Sequence, residues 1–156
     1  MPTTYSPSLK LAHLGNGEDV GTWGDLTNTN ICTLLEQAIT GWVFIDMVDA
    51  NYTLTNSDGA VNEARNVVLA VRGTNTATRD VIVPLINKLY IVYNGTNGSI
   101  NVRGATGAGV TLVIGETLLV FVDGVDVHIG LNHAIVEAGT GCHVTQIGNR
   151  YIISVP

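Results

Sequence analysis

From Trp42 onward the chain alternates short apolar runs with turn-forming residues, and that rhythm limits what it can fold into. Trp42 to Val48, Asn66 to Arg72, Asp80 to Val83, Lys88 to Tyr93, Ser99 to Arg103, Val110 to Ile114 and Leu118 to Val122 each have strand length. Clusters of Gly, Asn, Asp and Ser separate them. Such runs, recurring about every 8–12 residues, predict a sandwich, a barrel or a β-helical prism and not a βαβ fold. No fixed repeat is visible, so the expectation is an antiparallel β-sandwich-like domain over residues 42–156. Asn94-Gly95 and Asn97-Gly98 are hairpin signals, and they predict that Lys88 to Tyr93 folds back on Ser99 to Arg103. Gly115-Glu116 predicts a turn from Val110 to Ile114 into Leu118 to Val122, a second hairpin that Asp123-Gly124 closes. Trp42 to Val48 is apolar on both faces, the pattern of a strand covered on both sides.

Residues 1–41 read differently. Met1 to Ser8 has the composition of an extended arm, and Leu9, Leu11 and His13 allow a short strand that could lie on a neighbour's sheet edge. Leu14 to Gly41 starts as a glycine-rich loop around Trp23 and continues as a helix. Ile31, Leu34, Leu35, Ala38 and Ile39 share one side of a 3.6-residue period. Thr27 to Asn30 are suited to cap its start, and Gly41 to end it in the left-handed conformation. A helix of about ten residues is marginal alone and needs a surface to dock on. That surface is either the chain's own core or, with Trp23 as an anchor, another protein.

Several of these residues carry a resemblance. Ser6-Pro7-Ser8-Leu9-Lys10-Leu11, then Gly17 to Gly24 ending in Gly21-Thr22-Trp23-Gly24, then Asn28-Thr29-Asn30 followed by Leu34-Leu35-Glu36-Gln37-Ala38-Ile39 and Gly41, resemble the N-terminal signature of tail-fibre and related tail proteins of bacterial viruses. Glu63-Ala64-Arg65-Asn66 and Val81-Ile82-Val83-Pro84 resemble the continuation of those proteins. The resemblance extends to the strand near Val122 and is generic beyond the N-terminal motif. It implies a homotrimeric virion component that carries or forms a fibre on the tail. The implied partners are copies of itself, other tail or baseplate proteins and a host surface glycan. Longer members of the family continue into a large receptor-binding region.

Composition bears on assembly. Only 13% of residues are charged, and the mean hydropathy is +0.30. A surface covered by so few charges is expected to hide apolar area against partners. The net charge of −6, with seven scattered basic residues, argues against nucleic acid. No apolar run reaches the roughly 18–20 residues needed to cross a bilayer, and no basic-then-apolar leader opens the chain. Cys32 and Cys142 are isolated, so no disulfide framework is expected. Synthesis in the cytoplasm of a bacterial host, followed by assembly into the virion, fits these features.

Chemistry leaves few marks. His13, His128, His133, His143 and Cys142 lack the close ligand pairs of a zinc site, so no metal or other cofactor is expected. Asp123-Gly124-Val125-Asp126 lacks the later ligands of a calcium loop, and Gly104 to Gly109 precedes a strand, not a phosphate-binding helix. No nucleophile elbow is present. Asp46, Asp49, Glu63, Asp123 and Glu137 could pair as glycosidase carboxylates only if the fold brought two of them together. The expectation is therefore a non-enzymatic tail protein whose assembly surface includes Trp23, Leu34, Leu35, Ile39 and Trp42. A capsid decoration protein and a small carbohydrate depolymerase are the alternatives.

Overall fold

In the computed structural model, residues 3–130, 143–147 and 150–154 are described, with side chains described through Gly130. The arm is a closed hairpin. β1 (Thr4–Tyr5) pairs antiparallel with β2 (Ala12–His13), and Lys10 turns the chain with φ 57°. The Leu11 N–H donates to Ser6 Oγ, while the Ser6 N–H donates to the Leu11 carbonyl. The arm expected to reach a neighbour thus satisfies its backbone locally, because the Ser6-Pro7-Ser8 turn returns it on itself.

A continuous helical run follows, in three pieces: α1 (Trp23–Thr27), a π-helical stretch (Asn28–Leu34) and α2 (Leu35–Thr40). It starts earlier than its apolar period suggests. Asn30, expected as a cap, is mid-run and buried; its Oδ1 accepts the Ala12 N–H at 2.9 Å and its Nδ2 donates to the Leu26 carbonyl at 2.8 Å. Gly41 ends the run in extended conformation (φ −63°, ψ 137°), not left-handed. Glycine is needed there for space: a Cβ would lie 2.2 Å from the Gln37 carbonyl oxygen and 2.5 Å from Asn66 Oδ1.

The rest of the described chain is mainly strand, in two facing sheets. β3 (Trp42–Met47) leads to β4 (Tyr52–Thr53), and a 3-10 turn (Glu63–Arg65) precedes β5 (Val68–Gly73). β6 (Arg79–Ile82), β7 (Asn87–Thr96) and β8 (Ile100–Arg103) come next. β9 (Val110–Leu112), β10 (Thr117–Asp123) and β11 (Val127–Ile129) complete the pair. The sheet orders are β11-β10-β7-β5-β3 and β4-β6-β8-β9. β12 (His143–Ile147) and β13 (Arg150–Ser154) form a separate antiparallel pair.

The antiparallel expectation holds only from β9 onward. β3, β5 and β7 are parallel in one sheet, and β4, β6 and β8 are parallel in the other. The chain therefore makes three solenoid-like rungs, each crossing from the first sheet to the second, before it reverses. Trp42, Val68 and Ile91 are register partners across the rungs, as are Tyr52, Val81 and Val102. Their unequal separations in sequence explain why no repeat is visible there.

The hairpin expected at Asn94-Gly95 does not form. β7 continues through both residues to Thr96, and β8 lies in the opposite sheet. Asn94 is fully buried at this crossing. Its amide donates to the carbonyls of Gly98, Leu112 and Val113, and its Oδ1 accepts the Thr96 N–H at 3.0 Å and hydroxyl at 2.8 Å. Five contacts to one side chain outweigh the local turn preference of the dipeptide. The hairpin expected between Val110 to Ile114 and Leu118 to Val122 does not form either, because the turn between them crosses sheets: β9 pairs with β8 in the second sheet, and β10 pairs with β7 and β11 in the first.

Between the sheets lies one apolar core, with Ile45, Leu69, Val71, Tyr90, Val92 and Val120 from the first sheet and Val81, Ile100, Val102 and Leu112 from the second. Arg65 ties the N-terminal segment to it. The side chain is only 2% exposed, and burial pulls its pKa down. Its Nε donates to the Leu9 carbonyl at 2.9 Å, Nη1 to Gln37 Oε1 and the Ala60 carbonyl, and Nη2 to the Ser57 carbonyl. One guanidinium thus joins arm, helix and inter-rung loop. Replacing it would leave several buried acceptors unmatched. Arg65→Ala is expected to lower unfolding free energy by about 3 kcal/mol, read by urea denaturation. A loss below roughly 1 kcal/mol would mean the clamp is peripheral.

Candidate assembly surfaces

The buried line of the helical run is Asn30, Leu34 and Ala38, each four residues from the next, with Leu34 completely enclosed and Ala38 half-buried. The adjoining line, Trp23, Ile31, Leu35 and Ile39, also advances in steps of four or eight. A four-residue step falls between the α repeat of about 3.6 and the wider π turn, so it stays on one side of this mixed helix. Trp23 is 60% exposed, Ile31 60% and Ile39 65%, with Leu35 half-buried. The amphipathic stripe read from the sequence is therefore split. Leu34, expected at an assembly surface, packs inside its own chain, while Trp23, Leu35 and Ile39 form an outward ridge to which Ile31 also belongs.

Trp42 lies elsewhere, on the outer face of the first sheet, and it is 62% exposed. Strand register arranges that face in cross-strand rows. One row is Trp42, Val68, Ile91 and Leu119; the next is Phe44, Ala70, Tyr93 and Thr117. A further row sets Leu89 beside Phe121 and His128, whose rings stack with centroids 5.0 Å apart. Phe44 is 52% exposed, so the double-sided coverage expected for β3 is absent within the described residues. Ala70, small between Phe44 and Tyr93, floors an almost wholly apolar hollow of about 440 Å³. Phe44, Leu89, Tyr93 and Phe121 were not among the residues singled out from sequence. Their signal is the simple alternation of β3, β7 and β10, which marks two faces but cannot tell which of two apolar faces is covered.

At one corner of the face, Arg72 pairs with Asp46 and lies 4.1 Å over the Phe44 ring. This salt bridge leaves that corner without net charge. At the opposite corner Asp123 accepts the N–H groups of Val125 and Asp126, and its Oδ2 lies 3.0 Å from His128 Nε2.

Two further candidates for chemistry have structural partners. Asp49 accepts from Thr76 and Arg79, and Glu63 accepts from the Tyr52 hydroxyl at 2.6 Å and from Thr55. His133, Glu137 and Cys142 lie outside the described residues, as does the side chain of His143. Among the described residues, no cluster of three His, Cys, Asp or Glu could hold a metal ion. No helix among them is long and apolar enough to cross a membrane. Cys32 is a free, exposed thiol.

No protein-family model, curated protein or solved structure matches the chain.

Two carboxylates give these loops a pH signature. The Thr76 N–H and hydroxyl, then Arg79, hold Asp49 down to about 2. The N–H groups of Asp126 and Val125, then His128, hold Asp123 down to about 2. Both values lie below the ordinary 3.8, so the folded state binds fewer protons there. Their stabilisation is present above about pH 4 and is lost as pH falls toward 2. Thermal melts from pH 5 to 2 should show Tm dropping through that window, with a smaller drop in Asp49→Asn and Asp123→Asn. An unchanged pH profile in both variants would contradict the assignment.

Proposed function

We propose that this chain is a structural protein of a bacteriophage tail, a tail-fibre or baseplate-associated component acting as a homotrimer. The helical module attaches it to the tail, and the β region forms part of the shaft or a small tip facing the host surface glycan. Synthesis occurs in the host cytoplasm, and the finished protein resides in the virion. The observation that carries this proposal is the outward ridge of Trp23, Ile31, Leu35 and Ile39, held on a short helical run that Arg65 ties to the body through Gln37 and Asn30 ties to the arm. Three large apolar side chains more than half exposed on one short segment are costly in water and useful in an interface, where tryptophan is a favoured anchor. The same segment carries the residues that resemble the tail-protein signature. Rigid fastening suits attachment, because a pre-ordered ridge loses little entropy when it docks.

Immunogold labelling of particles that contain the chain should place gold on the tail. Trp23→Ala combined with Ile39→Asp should reduce incorporation into particles at least tenfold while leaving the circular-dichroism spectrum of the purified chain unchanged. Gold on the capsid would favour a head decoration protein instead. Normal incorporation of the double variant would remove the ridge from the attachment role. Leu34→Asp is expected to unfold the chain, since that side chain is enclosed.

A further inference from the structure

Between the arm hairpin and the helical run lies a hollow of about 150 Å³, separate from the core and from the ridge. Thr3, Tyr5 and Ala12 line it from the arm, Leu26 and Thr29 from the helical run, and Asp19 from the loop that joins them. Asp19 Oδ2 is buried and has no hydrogen-bond partner. A carboxylate shares its charge between both oxygens, and one partly withdrawn from water needs a counter-charge nearby. No described residue supplies it. Residues 1–41 carry Glu18, Asp19, Asp25 and Glu36 against Lys10 alone, and Lys10 pairs with Asp58 at 3.4 Å. The neighbouring polar groups are committed elsewhere: the Asn30 amide bonds to Ala12 and Leu26, and the Thr3 hydroxyl donates to Glu18.

We infer that this hollow is a socket for one basic side chain, a lysine ammonium or an arginine guanidinium, presented by the protein to which the helical module attaches; the inference rests on the proposed attachment role. Charge selects a cation, while size and donor set select its kind. A water's share of the liquid is roughly 30 Å³, so the hollow has room for several waters, which suits the end of a long side chain better than a bare ion. Calcium or magnesium gathers several oxygen ligands, commonly from more than one carboxylate, whereas Asp19 is the single carboxylate lining this hollow. Tyr5 adds an aromatic wall of the kind that attracts organic cations. Its ring rests directly on Gly59, where a Cβ would lie 2.8 Å from Tyr5 Cε1. Ala12 and Leu26 offer apolar surface along which the methylene stem of a basic side chain can lie. Position agrees with attachment, since Leu26 and Thr29 belong to the same turns as Trp23 and Ile31 of the ridge. The ridge supplies burial, and the socket fixes register, because a charge pair contributes specificity more than affinity.

NMR titration of the full, isotope-labelled chain with Nα-acetyl-lysine methylamide, and with its arginine equivalent, tests the socket. Saturable shifts at the Tyr5, Asp19 and Thr29 amides are expected from at least one of the two. The norleucine compound, which keeps the stem and lacks the charge, should bind roughly tenfold or more weakly. Asp19→Asn should fold, since asparagine accepts the left-handed φ of 59° at this position, and should lose binding by roughly tenfold or more. Ala12→Leu should fill the hollow and abolish binding, and it decides if Asp19→Asn fails to fold. Asp25→Asn, an exposed acid on α1 outside the hollow, should bind as the unmodified chain does. In particles, Asp19→Asn should lower incorporation several-fold. The absence of saturable shifts, equal binding of the norleucine compound, or undiminished binding by the folded variants overturns the inference. Binding of glucosamine alone, or of calcium chloride alone, overturns it in favour of a sugar amine or a metal ion. Normal incorporation of Asp19→Asn overturns the assignment to the attachment partner even where the lysine compound binds. Gold on the capsid, with binding in the socket intact, would overturn only the proposed tail function.

Discussion

Arg65 is the constraint on which the arrangement of the N-terminal segment depends. A buried guanidinium has five donors, and each must find an acceptor or cost desolvation free energy. Here the acceptors come from the arm (Leu9), the helix (Gln37) and the inter-rung loop (Ser57 and Ala60), all far apart in sequence. The Arg65 carbonyl in turn accepts from Lys88 Nζ, and burial, then the nearby Arg65 charge, bring that amine down to about 8. The Tyr90 hydroxyl donates to the neighbouring Ala64 carbonyl. Arm, helix, loop and central strand β7 thus meet at one short turn, which Asn62 opens by accepting the Arg65 N–H.

Asn94 plays the matching role at the other end of β7. Its five contacts hold the crossing between sheets where the third rung turns over. Burying so polar a side chain is tolerable only when every donor and acceptor is used, and that demand specifies one path for the chain. Between these two polar anchors the core is, apart from Tyr90 and Met47, aliphatic and contributes burial with little direction. The anchors decide the topology, and the aliphatic core supplies most of the cohesion.

The two apolar surfaces follow from this division. Because Leu34 and Ala38 face inward, the Trp23–Ile39 ridge is turned out. Because the second sheet covers only one side of the first, Trp42, Phe44 and Tyr93 are left on the other. A ridge and a face in separate places are two separate apolar surfaces. This separation distinguishes Trp42 from Trp23, which the sequence suggested grouping in one surface.

Strand-length runs, the helix and the scarcity of charge were legible in the sequence, because alternation and composition are local properties. The turn at Gly115-Glu116 was legible, but not that it carries the chain from one sheet to the other. Parallel rungs were not legible: pairing partners such as Trp42, Val68 and Ile91 are set by sheet closure, and their spacing is irregular. Asn94-Gly95 carried a turn preference that a buried hydrogen-bond cluster overrode. The choice of Leu34 over Ile31 for the inside depended on the π-helical winding, which shifts the apolar stripe. Sequence alone determined that the chain is mainly β and rich in apolar surface. Only the tertiary structure decided which of that surface is left open, since exposure depends on what packs opposite each face and not on the residues of the face itself.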